Sequence, residues 1–171
     1  MKMLTTQLTG LFQRIAANEE ESVEETARLL AQAAVGEGVI YFAAFGEMKA
    51  VALNAIESAE PFQRAKLWTP GTEVKKSDRV WILTRHADHV DALALAQQLF
   101  DEFIPFAALA TERADEEGNR LSDLAYTYIA LRISKGLLPN EMGERVVLPH
   151  ALAALYVYEA VKLSFDEMAS E

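Results

Sequence analysis

Two short polar segments carry the residues that could bind a small anion. Each follows an apolar run and precedes a predicted helix, and together they contain Gly46, Glu47, Met48, Lys49, Thr84, Arg85 and His86. A guanidinium can hold a phosphate or carboxylate through two parallel hydrogen bonds. The first turn of a helix adds free backbone N–H groups and a partial positive charge. We therefore expect an anionic small molecule here, unless Arg85 pairs with Glu47 or Asp88 and closes the site.

Three titratable residues could carry acid–base chemistry. General acid–base catalysis needs a group that titrates near neutral pH, usually a His or a buried carboxyl. His150, His86 and Glu47 could take that part if the last helix reaches the anion site, from this chain or from a neighbouring subunit. A His at the start of an apolar helix more often caps the helix or lies in an interface, so catalysis through His150 is the weaker interpretation.

Other chemistries fit the sequence poorly. His86 and His89 could share a helical face with Asp88 between them, but this spacing completes no known metal site. The chain has no cysteine, and no Gly-x-Ser-x-Gly turn offers a nucleophilic serine. The segment Ser134-Lys135-Gly136 could contact a phosphate, although a plain turn is the stronger interpretation. We expect neither a metal nor a cofactor.

Composition limits the partners. The 171 residues have a formal net charge of −10, and acidic residues are bunched over 19–25 and 112–117. Nucleic-acid binding depends largely on Lys and Arg that neutralise phosphates, so DNA, RNA and anionic membranes are poor candidates. No apolar run approaches the roughly 20 residues of a membrane span, and the N-terminus lacks the apolar core of a signal peptide. We expect a cytoplasmic protein.

Short apolar runs and helices must position these residues. The near-continuous apolar runs are typical of strands buried on both faces, and they cover 39–45, 65–68, 79–83, 105–110 and 124–133. The last run fits a helix as well as a strand. Helices are predicted as an N-terminal pair over about 3–36, after Gly46, over 88–103 with Asp88 as its cap, and over about 149–168. Ser22 and Glu25 form a capping box for the second helix of the pair.

This alternation predicts one α/β domain over residues 1–171. Its sheet, over about 38–134, would be parallel, five-stranded, doubly wound in the order 2-1-3-4-5 and flanked by helices. In that order a crevice opens at the C-terminal ends of strands 1 and 3, where the strand order reverses. Residues 46–49 would form one lip of the crevice and 84–86 the other.

The order of elements resembles the sugar isomerase (SIS) domain, the phosphosugar-binding module of the phosphoheptose isomerase type. In that family the first strand leads into a glycine-rich turn followed by a serine; here residues 40–49 keep Gly46 but have Ala44 and Met48 at those positions. Residues 77–88 match the entry to the third strand and keep Thr84, whereas Arg85 to Ala87 replace the small residues of the phosphate loop. His150 resembles the His or Glu that many relatives send into the pocket from the last helix.

The resemblance implies an SIS-like domain that binds a phosphorylated or otherwise anionic sugar derivative. It leaves open whether the chain is also an aldose–ketose isomerase, for which His150 and Glu47 are the candidate catalytic residues. The alternative is an inactive oligomeric scaffold or regulatory protein that keeps the fold. An open crevice would favour binding, and a buried Arg85 salt bridge would favour the scaffold. The apolar final helix needs cover on more than one side, which predicts a homodimer.

Overall fold

The protein forms a single parallel sheet with helices on both faces. A computed structural model describes residues 1–112 and 118–169. The second acidic bunch therefore lies, apart from Glu112, outside the described residues. The elements in chain order are α1 (Lys2–Val35), β1 (Ile40–Ala44), α2 (Lys49–Glu57), β2 (Ala65–Leu67), β3 (Arg79–His86), α3 (Val90–Asp101), β4 (Phe106–Thr111), α4 (Leu121–Leu124), β5 (Thr127–Ala130), β6 (Leu138–Pro139), β7 (Arg145–Val146) and α5 (His150–Ala169).

The sheet has the predicted order and direction. Its strands run β2-β1-β3-β4-β5, and each neighbouring pair is parallel. Every residue of β4 is buried, as expected for a central strand covered on both faces. The helices α1, α2 and α5 cover one face, and α3 and α4 cover the other. The doubly wound α/β prediction is confirmed.

The N-terminal helical pair is wrong, because α1 is one helix of 34 residues. No Gly or Pro interrupts residues 11–35, and Ser22 lies inside the helix rather than capping a second one. The acidic stretch over residues 19–25 contains Glu19, which is almost completely buried. Its carboxylate accepts hydrogen bonds from Ala130 N–H at 3.2 Å and from Arg132 Nε at 2.7 Å. A buried carboxylate with such partners ties the middle of α1 to the end of β5.

Several other boundaries differ from the predictions. The strand β3 continues to His86, so Thr84, Arg85 and His86 belong to the strand end and not to a loop. His89 rather than Asp88 caps α3, since its Nδ1 accepts from Ala92 N–H at 3.4 Å. The apolar run 124–133 contains only a short strand, because the short helix α4 ends at Leu124 and the chain leaves the sheet after Ala130.

The final helix begins at His150, one residue after the predicted start. It packs on α1, and it also exposes the side chains of Leu152 and Leu163. These exposed leucines agree with the expected self-association, and the homodimer stays a prediction. Within the described part of the chain, no helix is both long and apolar enough to cross a membrane.

A tight junction holds β1 and β3 together at their N-terminal ends. The buried carboxylate of Asp78 accepts hydrogen bonds from Val39 N–H and Lys75 N–H, both at 2.8 Å. Gly38 passes so close to the loop before β3 that a Cβ atom on Gly38 would lie 2.0 Å from the carbonyl oxygen of Ser77. The junction sets the register in which Ile40 pairs with Arg79 and Ala44 with Leu83.

Two Gly→Ala substitutions should change stability in opposite directions. Gly38→Ala forces a backbone clash and should lower the free energy of unfolding by about 3 kcal/mol. Gly10→Ala lies in α1, where the new methyl meets only Arg14 Nη1 at 3.7 Å. It should raise the free energy of unfolding by about 0.5 to 1 kcal/mol, because alanine loses less conformational entropy in a helix. Urea denaturation of the wild type and both variants measures the free energy of unfolding. If Gly38→Ala is no less stable than Gly10→Ala, the close contact at the junction does not contribute to stability.

Candidate functional site

A crevice of about 600 Å³ opens at the C-terminal ends of β1 and β3. This is the switch point at which the strand order reverses. Its lining combines charged, polar and aromatic residues, namely Phe45, Gly46, Glu47, Thr84, Arg85, His86, Asp88, His89, Val90 and Asp91. The two segments singled out in the sequence therefore meet here, although not with all of their residues.

The turn after β1 is fixed to β3 by backbone geometry. Phe45 N–H donates to the carbonyl of Leu83 at 2.9 Å, which carries the pairing one residue past the end of β1. Gly46 has a φ of +59°, a left-handed conformation that glycine adopts without steric cost. The single 3-10 turn of Gly46–Met48 then leads into α2. This turn brings the Glu47 side chain over the end of β3.

An ion pair between Glu47 and Arg85 crosses the mouth of the crevice. Arg85 Nε donates to Glu47 Oε1 at 2.7 Å, and the two side chains are 36% and 38% exposed. This hydrogen bond is the main reason that the pKa of Glu47 lies below its usual range. Arg85 Nη1 and Nη2 make no hydrogen bond to any residue that the structure describes. The salt bridge forms as the scaffold interpretation expected, but it is not buried.

Thr84 contributes a hydroxyl with no protein partner. Its side chain is fully buried, yet it lines the crevice. Within residues 1–112 and 118–169, no group forms a hydrogen bond with Thr84 Oγ1. Buried hydroxyls in folded proteins are usually hydrogen-bonded to protein or water. Because the side chain is fully buried, a molecule in the crevice would reach Thr84 Oγ1 only if the crevice wall moved.

His150 lies behind the crevice and not in its lining. Its ring contacts the ring of His86 edge-to-face, with centroids 5.9 Å apart, and its side chain is 3% exposed. Neither ring nitrogen has a hydrogen-bond partner among the described residues. Burial is the main reason that the pKa of His150 is lowered to about 4; the charge of Arg85 adds to the effect, and Glu47 opposes it. The imidazole is thus neutral at pH 7, with one nitrogen that donates a hydrogen bond and one that accepts.

Two predicted ligand-binding residues do not line the crevice. Met48 is fully buried in the core against the α2 and α5 side of the sheet, as expected for a long apolar side chain. Lys49 begins α2 and is exposed outside the lining. The 3-10 turn is the cause, because it points Glu47 toward the crevice and the next two residues away from it.

Sequence reasoning missed the aromatic wall of the crevice. The Phe45 ring contacts the His89 ring at 5.0 Å and the Trp68 ring at 6.1 Å. The sequence pattern places Phe45 in the buried strand over 39–45. Its position directly before Gly46, at the end of that run, is the signal that could have indicated a residue lining the crevice. In the part of the chain that the structure describes, no cluster of three or more His, Asp or Glu side chains could hold a metal ion.

Comparison with known proteins identifies the family. The model described as a domain of unknown function, DUF2529, matches residues 1–169. This chain belongs to the DUF2529 family. The protein YwjG of Bacillus subtilis (strain 168) is 33% identical over 172 residues, which cover all of this chain and 98% of YwjG.

Solved structures show what fold this DUF2529 chain shares. A Bacteroides fragilis NCTC 9343 protein, assigned as a phosphosugar isomerase involved in capsule formation, superposes with a TM-score of 0.71 at 9% identity; the match covers 97% of this chain and 90% of that one. Vibrio vulnificus NanR, solved in complex with ManNAc-6P, gives a TM-score of 0.67 at 12% identity and covers 96% of this chain and 61% of its own. The fold of the DUF2529 chain is thus that of SIS-type proteins, as the sequence predicted.

The buried His150 should make the stability of the protein depend on pH. The unfolded chain takes up a proton below about pH 6.5, whereas the folded chain does so only near pH 4, so acid favours unfolding between these values. Lowering the pH from about 7.5 to about 5.5 should therefore cost about 1 kcal/mol of unfolding free energy through this group. His150→Gln should lack that part of the loss. Urea denaturation of both proteins at the two pH values measures it, and an identical pH dependence would contradict a buried neutral His150.

Proposed function

We propose that this chain binds a phosphorylated sugar, or a closely related anionic sugar derivative, in the crevice between β1 and β3. The observation that carries the proposal is the guanidinium of Arg85, which lines the crevice, is partly exposed and keeps its Nη edge unbonded among the described residues. Thr84 Oγ1 is buried beneath the crevice without a described partner, and leaving a buried hydroxyl unbonded costs about 1 to 3 kcal/mol. A ligand oxygen that reaches Thr84 Oγ1 after a small movement of the crevice wall would remove this cost.

Arg85 supplies the positive charge for the anionic group. Among the residues that the structure describes, only Arg85 Nε is hydrogen-bonded, and the Nη edge of the guanidinium can bond a second anion. An ion pair as exposed as Arg85–Glu47 contributes at most about 1 kcal/mol. A phosphate dianion can accept two hydrogen bonds from the same guanidinium, so it can compete with Glu47 for Arg85.

The size and walls of the crevice suit a sugar attached to that group. A volume of about 600 Å³ falls in the range of small-molecule sites and exceeds what a phosphate alone would fill. Phe45 and His89 offer ring surfaces along one wall, and Asp88 and Asp91 offer carboxylates that can accept hydrogen bonds from sugar hydroxyls. The crevice thus has a positively charged part at Arg85, which suits an anion, and an acidic part, which suits the hydroxyls of a sugar.

The comparisons support the same class of ligand. NanR was solved in complex with a sugar phosphate, ManNAc-6P, and the Bacteroides fragilis protein is assigned as a phosphosugar isomerase. Those properties belong to those proteins. Because this chain shares their fold, a sugar phosphate is the first ligand class to test on it.

Isomerase activity is a second candidate, favoured by the unpartnered His150 next to His86. Aldose–ketose isomerisation needs a base that moves a proton between two neighbouring carbons. With a pKa of about 4 His150 is a weak base at neutral pH, and Glu47 is held by Arg85. A phosphate that displaces Glu47 from Arg85 would raise the pKa of Glu47 and free its carboxylate. Glu47 is therefore the base we would test first, with His150 as a neutral hydrogen-bond donor.

Three substitutions should separate ligand binding from fold stability. Thr84→Val removes the unbonded hydroxyl and keeps the side-chain shape, so the free protein should become more stable, by up to about 1 to 3 kcal/mol, while the affinity for the ligand falls. Arg85→Gln should abolish binding. Glu47→Gln should tighten it, because the carboxylate that competes for Arg85 is gone. Thermal melts with N-acetylmannosamine 6-phosphate, fructose 6-phosphate and sedoheptulose 7-phosphate measure this; a ligand at 100 times its Kd adds about 2.7 kcal/mol, or several degrees.

The unphosphorylated sugars, and sodium chloride at matched ionic strength, are the controls. A ligand-induced shift that survives in both Thr84→Val and Arg85→Gln would place the ligand elsewhere. The opposite outcome is that no sugar phosphate shifts the melting temperature of the wild type or of any variant, although each variant is folded. The crevice is then closed by its own ion pair, and the scaffold function is favoured. For a ligand that binds, exchange of its carbon-bound hydrogen with deuterated water, followed by NMR, tests isomerisation; loss of exchange in Glu47→Gln despite tighter binding would assign the base.

A further inference from the structure

A second polar cavity lies at the C-terminal end of β5, on the same edge of the sheet as the crevice. We call it the basic hollow and define it by Arg14 on α1, Arg132, Ser134, Lys135 and Gly136 in the segment after β5, and Arg145 on β7. Its volume is about 70 Å³, and it shares no lining residue with the crevice. It contains Ser134-Lys135-Gly136, the segment for which the sequence favoured a plain turn.

Positive charge is concentrated in the basic hollow. Four of the 16 Lys and Arg residues of an acidic chain meet there. Glu19 neutralises Arg132 through an ion pair of 2.7 Å, which leaves three positive charges. The side chains of Arg14 and Lys135 make no hydrogen bond or ion pair with any described residue. Such a cluster repels itself unless an anion lies among its members.

The segment that carries these charges is rigidly held. Arg145 donates to the carbonyls of Gly136 and Leu137 at 3.0 and 2.9 Å, and Leu137 N–H donates to the carbonyl of Val147 at 3.0 Å. Gly136 passes so close to β7 that a Cβ atom would lie 2.5 Å from the carbonyl oxygen of Val146. The segment is thus fixed before any ligand arrives, and a preorganised site loses less entropy on binding.

Backbone donors are among the hydrogen-bond groups left over in the segment. The two carbonyls are taken by Arg145, and the Glu19 carboxylate is taken by Arg132 and Ala130. The backbone N–H groups of residues 133–136 donate to none of the residues that the structure describes. Consecutive free N–H groups beside guanidinium and ammonium groups are a recurrent arrangement in phosphate sites.

We propose that the basic hollow binds a phosphate group. A volume of about 70 Å³, far below the 600 Å³ of the crevice, is large enough for one small oxyanion. Arg14 and Lys135 supply charge from two sides, and the 133–136 backbone supplies neutral donors. The group is either free phosphate or the phosphate of a monoester whose remainder lies in solvent.

Titration of the full chain with inorganic phosphate, followed through backbone amide NMR signals, tests the proposal. The amides of Ser134, Lys135 and Gly136 should shift and saturate. The double variant Arg14→Gln/Lys135→Gln should weaken phosphate binding about tenfold or more, the effect of roughly 1.4 kcal/mol of lost interaction. Arg28→Gln/Lys66→Gln removes the same charge from exposed positions outside both cavities and should bind phosphate as the wild type does. Arg85→Gln should also leave these shifts intact, which separates the basic hollow from the crevice.

The nature of the anion follows from a second titration with glucose 6-phosphate. Shifts with both probes indicate a site for a monoester, and shifts with inorganic phosphate alone indicate a site for the free anion. The proposal is wrong if the amides do not shift at tens of millimolar phosphate, if sodium chloride at equal ionic strength shifts them equally, or if the double variant binds phosphate as well as Arg28→Gln/Lys66→Gln. It is also wrong if the double variant changes the sedimentation coefficient of the protein while phosphate does not. The cations would then take part in a contact between protein molecules.

Discussion

The position of the crevice depends on one constraint, the junction that aligns β1 with β3. Parallel strands have no turn between them to fix their register, so other contacts must do so. Here the Asp78 carboxylate holds the backbone on both sides of the junction, and Gly38 lets the two segments touch. The register set there extends along five residue pairs to Ala44 and Leu83. A shift by one residue would turn Thr84 to the other face and separate Glu47 from Arg85.

Burial divides the polar groups of the crevice into two kinds. Glu47 and Arg85 are partly exposed, so their attraction is weakened by water and can be exchanged for another partner at small cost. Thr84 and His150 are buried and unpartnered among the described residues, and His150 lies behind the crevice rather than in its lining. A ligand in the crevice can replace Glu47 at Arg85 directly, whereas it reaches the two buried groups only if the residues around them move. The exposed ion pair, rather than the buried groups, is therefore where an open site and a closed scaffold differ.

The sequence was sufficient for the sheet and only partly sufficient for the crevice. Continuous apolar runs identify buried parallel strands whatever surrounds them, and the strand order then places the crevice. The single helix α1 was misread because Ser22 and Glu25 have the capping-box spacing, whereas the uninterrupted residues 11–35 continue the helix. The contact that holds its middle to the sheet, between Glu19 and Arg132, joins residues more than 100 positions apart and could not be predicted. Met48 and Lys49 were misplaced for a local reason. A strand that passes into a helix through one 3-10 turn directs each successive residue differently, and the residue types do not encode that direction.

The acidic character of the chain does not oppose small anions as it opposes polyanions. At physiological ionic strength a charge is largely screened beyond about 8 Å, so a small ligand experiences mainly the groups that touch it. In the crevice these include the free edge of Arg85, and in the basic hollow they include Arg14 and Lys135. A nucleic acid or membrane would extend from either cavity across acidic surface and meet its repulsion over many contacts. The net charge of −10 is thus compatible with a compact anion inside a cavity and unfavourable to an extended polyanion.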